Sequence, residues 1–125
     1  MLIVVLAVLG FGIVGAVLRY LLSTVVTMRT EWWFPLGIFI VNLSGAFLLG
    51  LVAGLAPRQG WPSWLATGVG TGGIGAYTTY STWANDSVNL WRSEHRVGLV
   101  VNLVGSVAPG VALAALGVVV GSARW

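Results

Sequence analysis

Apolar residues run along this chain in four long blocks, separated by short clusters of arginine, proline, glycine and tryptophan. The first block extends from about Leu2 to Val26 and closes on Met28-Arg29-Thr30-Glu31-Trp32-Trp33. The second runs from Pro35 to about Ala56, and Pro57-Arg58-Gln59-Gly60-Trp61-Pro62 ends it with two prolines, a glycine and a charge. The third covers about 63–91 and gives way to Arg92-Ser93-Glu94-His95-Arg96. The fourth covers about 97–120, with a kink expected at Pro109, and leaves the tail Gly121-Ser122-Ala123-Arg124-Trp125. A hydrocarbon core about 30 Å thick takes about 20 helical residues per crossing. The pattern therefore predicts an all-α membrane protein, a single domain over 1–125 with four transmembrane helices and paired tryptophans at interfacial depth.

The third block is too long for one straight crossing and is polar at its centre. Gly72-Gly73-Ile74-Gly75-Ala76-Tyr77-Thr78-Thr79-Tyr80-Ser81-Thr82-Trp83 combines glycines that loosen the backbone with hydroxyl residues that supply hydrogen-bond donors. The spacing predicts a helix broken at about 73–79, near mid-membrane. An unwound helix exposes carbonyls at the end of its first half and amides at the start of its second, which attract cations and anions respectively. Gly75 and Thr78 would offer carbonyl oxygens to a small cation. Thr79, Ser81 and Thr82 carry hydroxyl donors, and Tyr80 and Trp83 share a helical face with electropositive ring edges. The plainer alternative is an interfacial belt of Tyr77, Tyr80 and Trp83, against which their distance from either flanking turn counts.

Composition narrows the class. The chain is 58% hydrophobic and 7% charged, with mean hydropathy +0.95, where soluble domains carry roughly 25% charged residues. Its net charge of +3 comes from six scattered arginines, not a phosphate-binding stripe, so nucleic acid is not an expected partner. The absence of cysteine excludes disulfides and thiolate chemistry. One histidine and three acids leave no nucleophile-and-base pair, so the chain reads as no enzyme. The first block lacks a basic leader and a cleavage site and reads as a retained helix in the cell membrane. Four spans set Arg58 and Arg124 on one side against Arg29, Arg92 and Arg96 on the other. That near balance weakly places the first and third turns in the cytoplasm, permits insertion both ways round, and would allow an antiparallel dimer.

Other polar residues fall inside the spans. Arg19 would cost about 3 kcal/mol at mid-membrane; it reads either as a positive vestibule for anions or as a snorkelling anchor. Asn42 can donate to an anion or bond across a helix interface, with Gly45 and Ala46 on the same face allowing close approach. Asn102 and Ser106, four apart, form either a donor track along the fourth helix or helix glue. Gly68/Gly72 and Gly117/Gly121 have packing spacing.

Three ordered motifs resemble the fluoride channel family known as Fluc or CrcB. These are Gly12-Ile13-Val14-Gly15-Ala16-Val17-Leu18-Arg19-Tyr20, Pro35-Leu36-Gly37 through Val41-Asn42-Leu43-Ser44-Gly45-Ala46-Phe47, and Thr78-Thr79-Tyr80-Ser81-Thr82-Trp83. The resemblance implies an antiparallel dimer with two fluoride pathways, passive efflux of cytoplasmic fluoride, and a structural sodium ion held at the dimer interface by backbone carbonyls of Gly75 and Thr78. It further implies Asn42 as pore asparagine, Tyr80 and Trp83 as the aromatic box, Ser81 and Thr82 as hydroxyl neighbours and Arg19 as vestibule arginine, while Ser106 joins the fluoride pathway through the donor-track reading of the fourth helix. Phenylalanine usually stands where Tyr80 and Trp83 are, and Asp86 replaces a glutamate. If the added phenol and indole donors hold the ion too long, phenylalanine at both positions should preserve or raise throughput. Two other functions remain open. A structural or weakly conducting partner subunit of a paralogous heterodimer is suggested by those substitutions. A small multidrug transporter would need a membrane-embedded acid, which the first span lacks.

Overall fold

Leucine, valine and isoleucine on every side of a helix suit a lipid-facing span, and α1 (Leu2–Arg29) is such a helix, three residues longer than the apolar run alone suggests. The computed structural model describes residues 1–30 and 33–123; Glu31 and Trp32 of the first turn, and Arg124 and Trp125 of the tail, lie outside the described residues. α2 (Leu36–Arg58) follows Pro35 and carries Pro57 inside its last turn rather than stopping before it. Gly60, at φ +62°, makes the actual stop. The Trp61 N–H donates to the Ala56 carbonyl at 2.9 Å and the Gly60 N–H to Pro57 at 3.3 Å, a Schellman closure that needs the left-handed glycine.

The third crossing is segmented. It comprises α3 (Ser63–Thr67), a π-helix (Gly68–Ile74), α4 (Gly75–Tyr77), two extended residues, and α5 (Tyr80–Arg92). Only Thr78 (ψ 162°) and Thr79 (φ −148°, ψ 127°) are extended, so the break is narrower than the expected 73–79 and the glycine run stays wound. The glycines serve contact with α1 instead. A Cβ on Gly72 would meet the Val8 carbonyl oxygen at 2.6 Å, and one on Gly15 would overlap the Gly73 carbonyl. Backbones this close leave no room for a side chain, and the wider π turn lets the segment lie against α1.

α5 ends on a second Schellman closure, with Glu94 taking the left-handed position at φ 60° and the His95 N–H bonded to Leu90 at 3.0 Å. α6 (Arg96–Ser122) continues through Pro109 as one helix. It packs along α2 through reciprocal glycines. Side chains on Gly50 and Gly54 would strike the Ala114 and Val118 carbonyls, and side chains on Gly117 and Gly121 would strike those of Phe47 and Leu51.

α1, α2 and α6 are long and apolar enough to cross a membrane, and the segmented third element supplies a bent fourth helix. Large apolar side chains line the outside of α1 and α6, while the buried apolar core is small. An outside this oily is the surface of a multi-pass membrane protein.

Candidate ion pathway at the helix break

Two extended residues inside a membrane span need partners for their backbone groups. Asn42, 37 positions earlier on α2, supplies them for Thr79: its Nδ2 donates to the Thr79 carbonyl at 3.0 Å, and its Oδ1 accepts the Thr79 N–H at 2.9 Å. The side chain thus acts as a short strand partner. Thr79 also caps α5, its Oγ1 accepting the Thr82 N–H at 3.3 Å and donating its own proton to Thr82 Oγ1 at 3.2 Å. Ser81 Oγ lies 3.4 Å from the same oxygen. Thr79 therefore has a larger part than the sequence reading assigned it. The available signal was a threonine three residues before Thr82 at a helix start.

The first half of the span ends on carbonyls. Ile74 accepts both the Thr78 N–H (3.0 Å) and the Thr78 hydroxyl (3.2 Å), and Gly75 accepts only a long 3.5 Å contact from that hydroxyl. Arg19 Nη1 donates to the Thr78 carbonyl at 3.3 Å, placing a positive charge at the negative end of the half-helix. Tyr77 Oη and Ser44 Oγ, 2.8 Å apart, tie the same end to α2.

α5 is fastened to α6. Trp83 Nε1–H donates to the Asn102 carbonyl (3.0 Å) and to Ser106 Oγ (3.2 Å). Asn102 is 1% exposed, and its Nδ2 donates to Ser87 Oγ at 2.9 Å and to the Trp83 carbonyl at 3.4 Å. Asn102 is therefore helix glue, whereas Ser106 reaches open space.

That space is a groove of about 870 Å³ whose polar end is formed by Asn42, Thr78, Thr79, Tyr80, Trp83 and Ser106. Small residues of α2, including Gly45, Ala46 and Ala53, continue its wall, and Gly75 also borders it. The Tyr80 and Trp83 rings lie 5.4 Å apart at its edge, and Tyr80 is 78% exposed. Arg19, Ser81 and Thr82 do not border the groove. Thr82 instead faces a second hollow of about 350 Å³, together with Asp86 and Asn89 of α5, Ser93 just beyond it, Thr27 of α1 and Thr30 just after that helix.

Donor and acceptor accounting gives the polar end a sign. Asn42 uses its oxygen and one amide proton on Thr79 and keeps a second proton. Thr79 and Ser106 hydroxyl oxygens already accept protein N–H groups. The Thr79 proton goes to Thr82 Oγ1, whereas Asn42 and Ser106 keep protons beside the groove, a lining suited to a small anion. Among the described residues no cluster of three or more His, Cys, Asp or Glu side chains could hold a metal.

Residues 6–118 match the family described as CrcB-like protein, Camphor Resistance (CrcB). A fluoride-specific ion channel FluC 2 of Mycobacterium tuberculosis (strain H37Rv) is 42% identical over 112 residues, covering 90% of this chain and 86% of its own length. A fluoride-specific ion channel FluC 1 of Frankia casuarinae is 39% identical over 125 residues, covering 96% and 97%. A FluC 2 of Moorella thermoacetica is 41% identical over 106 residues, covering 85% and 86%.

Proposed function

This chain belongs to the CrcB-like family, and from that premise we propose that it is a fluoride-selective channel that lowers cytoplasmic fluoride by passive efflux. The observation that carries the reading is the groove end, where Asn42 and Ser106 hold their acceptors occupied and each keep a proton free. Fluoride is small and strongly hydrated, so a selective path replaces its water with close donors and rejects larger halides by width. Tyr80 and Trp83 ring edges add weakly positive surface without a full charge. Arg19 contributes positive potential at the break while paired to Thr78.

The working unit in this reading is an antiparallel dimer. Ser81, Asn85 and Asn89 lie exposed on α5 at positions where hydrocarbon would otherwise meet them, and a second copy covers such a face at least cost. The open groove gains its missing wall in the same way. The Gly75 and Thr78 carbonyls fit a sodium ion shared between the copies. Both are neutral hard oxygens, Gly75 carries only one long contact, and Thr78 keeps a second lone pair beside Arg19. Bound there, sodium would supply positive charge between facing half-helix ends.

A second reading, a structural or weakly conducting subunit of a paralogous heterodimer, is favoured by one observation. The Trp83 indole proton is engaged by α6 and is not free to face the groove. Reconstitution of this chain alone into liposomes tests both: a fluoride electrode should record rapid efflux with chloride retained. No fluoride release from well-inserted protein would reject the homodimeric channel.

A further inference from the structure

Serine and threonine hydroxyls inside membrane helices ordinarily return their proton to a carbonyl one turn earlier. Ser23, Ser44, Ser87 and Ser122 all do so here, at 3.2, 3.1, 2.9 and 3.2 Å. Ser106 is the exception among the helix-interior serines of the described residues. The carbonyl it would use, that of Asn102, accepts the Trp83 indole proton at 3.0 Å, and the same proton lies 3.2 Å from Ser106 Oγ. With an N–H pointing at its oxygen, the Ser106 hydroxyl keeps its own proton, and donation into its oxygen strengthens it as a donor. Ser106 borders the groove with Asn42 and Thr79.

We infer that Trp83 is a positioning residue for Ser106: by taking the Asn102 carbonyl and the Ser106 oxygen, its indole N–H turns the Ser106 hydroxyl proton into the groove as a donor to the anion. The inference rests on the channel reading and deepens it. It reverses the expectation that phenylalanine at position 83 preserves or raises throughput, which treated the indole proton as a ligand of the ion. Without the indole, the Ser106 hydroxyl falls back on the Asn102 carbonyl and one donor leaves the path.

The test is a double-mutant cycle in liposomes with Trp83→Phe, Ser106→Ala and the pair together. Each single change should slow fluoride efflux about tenfold, and the pair should lose no more than about twofold beyond either single. Independent, multiplying losses, or a Trp83→Phe chain that conducts like the parent, overturn the inference and leave the channel reading intact. A parent chain that passes no fluoride overturns the channel reading itself. The indole ¹⁵N–H resonance of Trp83 in the solubilised full chain gives a second readout, one that a purely structural role for Trp83 would not move. It should shift on fluoride addition in the parent and stay still in Ser106→Ala. Should Trp83→Phe fail to assemble, that comparison decides alone, because an equal shift in both chains rejects the relay from Ser106 to Trp83.

Discussion

Asn42 holds the break from a distance, and leucine at that position would leave the buried Thr79 N–H and carbonyl without partners. Asn42→Leu should reduce fluoride efflux to background and lower stability by about 2 kcal/mol, the cost of orphaned buried polar groups. Efflux electrodes and thermal unfolding in detergent measure the two effects, and unchanged flux removes Asn42 from the pathway. Thr79→Ala should cost about 1 kcal/mol through the lost cap, with Thr79→Ser restoring it in the same melts. Tyr80 differs from its neighbour. Its phenol makes no hydrogen bond among the described residues and its ring is largely exposed, so Tyr80→Phe should leave efflux within about twofold of the parent.

At the level of elements, glycine decides how closely helices approach. Gly15→Ala would drive a Cβ into the Gly73 carbonyl, a clash no side-chain rotation relieves, whereas a Cβ on Gly10 of the same helix meets nothing within 4 Å. Overpacking of this kind costs about 1–3 kcal/mol. Gly15→Ala should therefore lower the melting temperature by several degrees, while Gly10→Ala holds or raises it through helix propensity of up to about 1 kcal/mol. Equal melting temperatures would show that α1 and the π-helix are not in close contact. The polar face of α5 works on the same scale. Thr82, Asp86, Asn89 and Ser93 border one hollow while Tyr80 and Trp83 border another, so this short helix divides two cavities.

For the whole molecule, the proposed dimer of oppositely inserted copies, suggested by nearly balanced arginines, makes two predictions. Protein purified alone should run as a dimer of the 13.1 kDa chain. Protease protection in vesicles should find each interfacial turn on both sides in comparable amounts. A single orientation would reject dual topology. A multidrug transporter is tested by the same vesicles, which should not accumulate or extrude ethidium in response to a pH gradient.

The apolar blocks and the presence of a discontinuity in the third crossing were legible in the sequence. Transfer of side chains from water to hydrocarbon is a local, nearly additive property, and each block carries its own. The motifs around Arg19, Asn42 and Thr78-Thr79-Tyr80-Ser81-Thr82-Trp83 were enough to indicate the family. Where the chain unwinds was not local. Glycine spacing suggested 73–79, but Gly73 lies wound against Gly15, and the extended pair is the one that Asn42 can reach. Likewise, from sequence the indole N–H reads as a free donor and each amide is left open between an ion and a neighbouring helix. Only the packing of α1, α2, α5 and α6 and the segments between them decided that Trp83 turns to Asn102 and Ser106, that Arg19 rests on Thr78, and that Asn102 is sealed between helices. Hydrogen-bond partners many residues apart are chosen by which backbones come within about 3 Å, and that distance exists only once the helices have met.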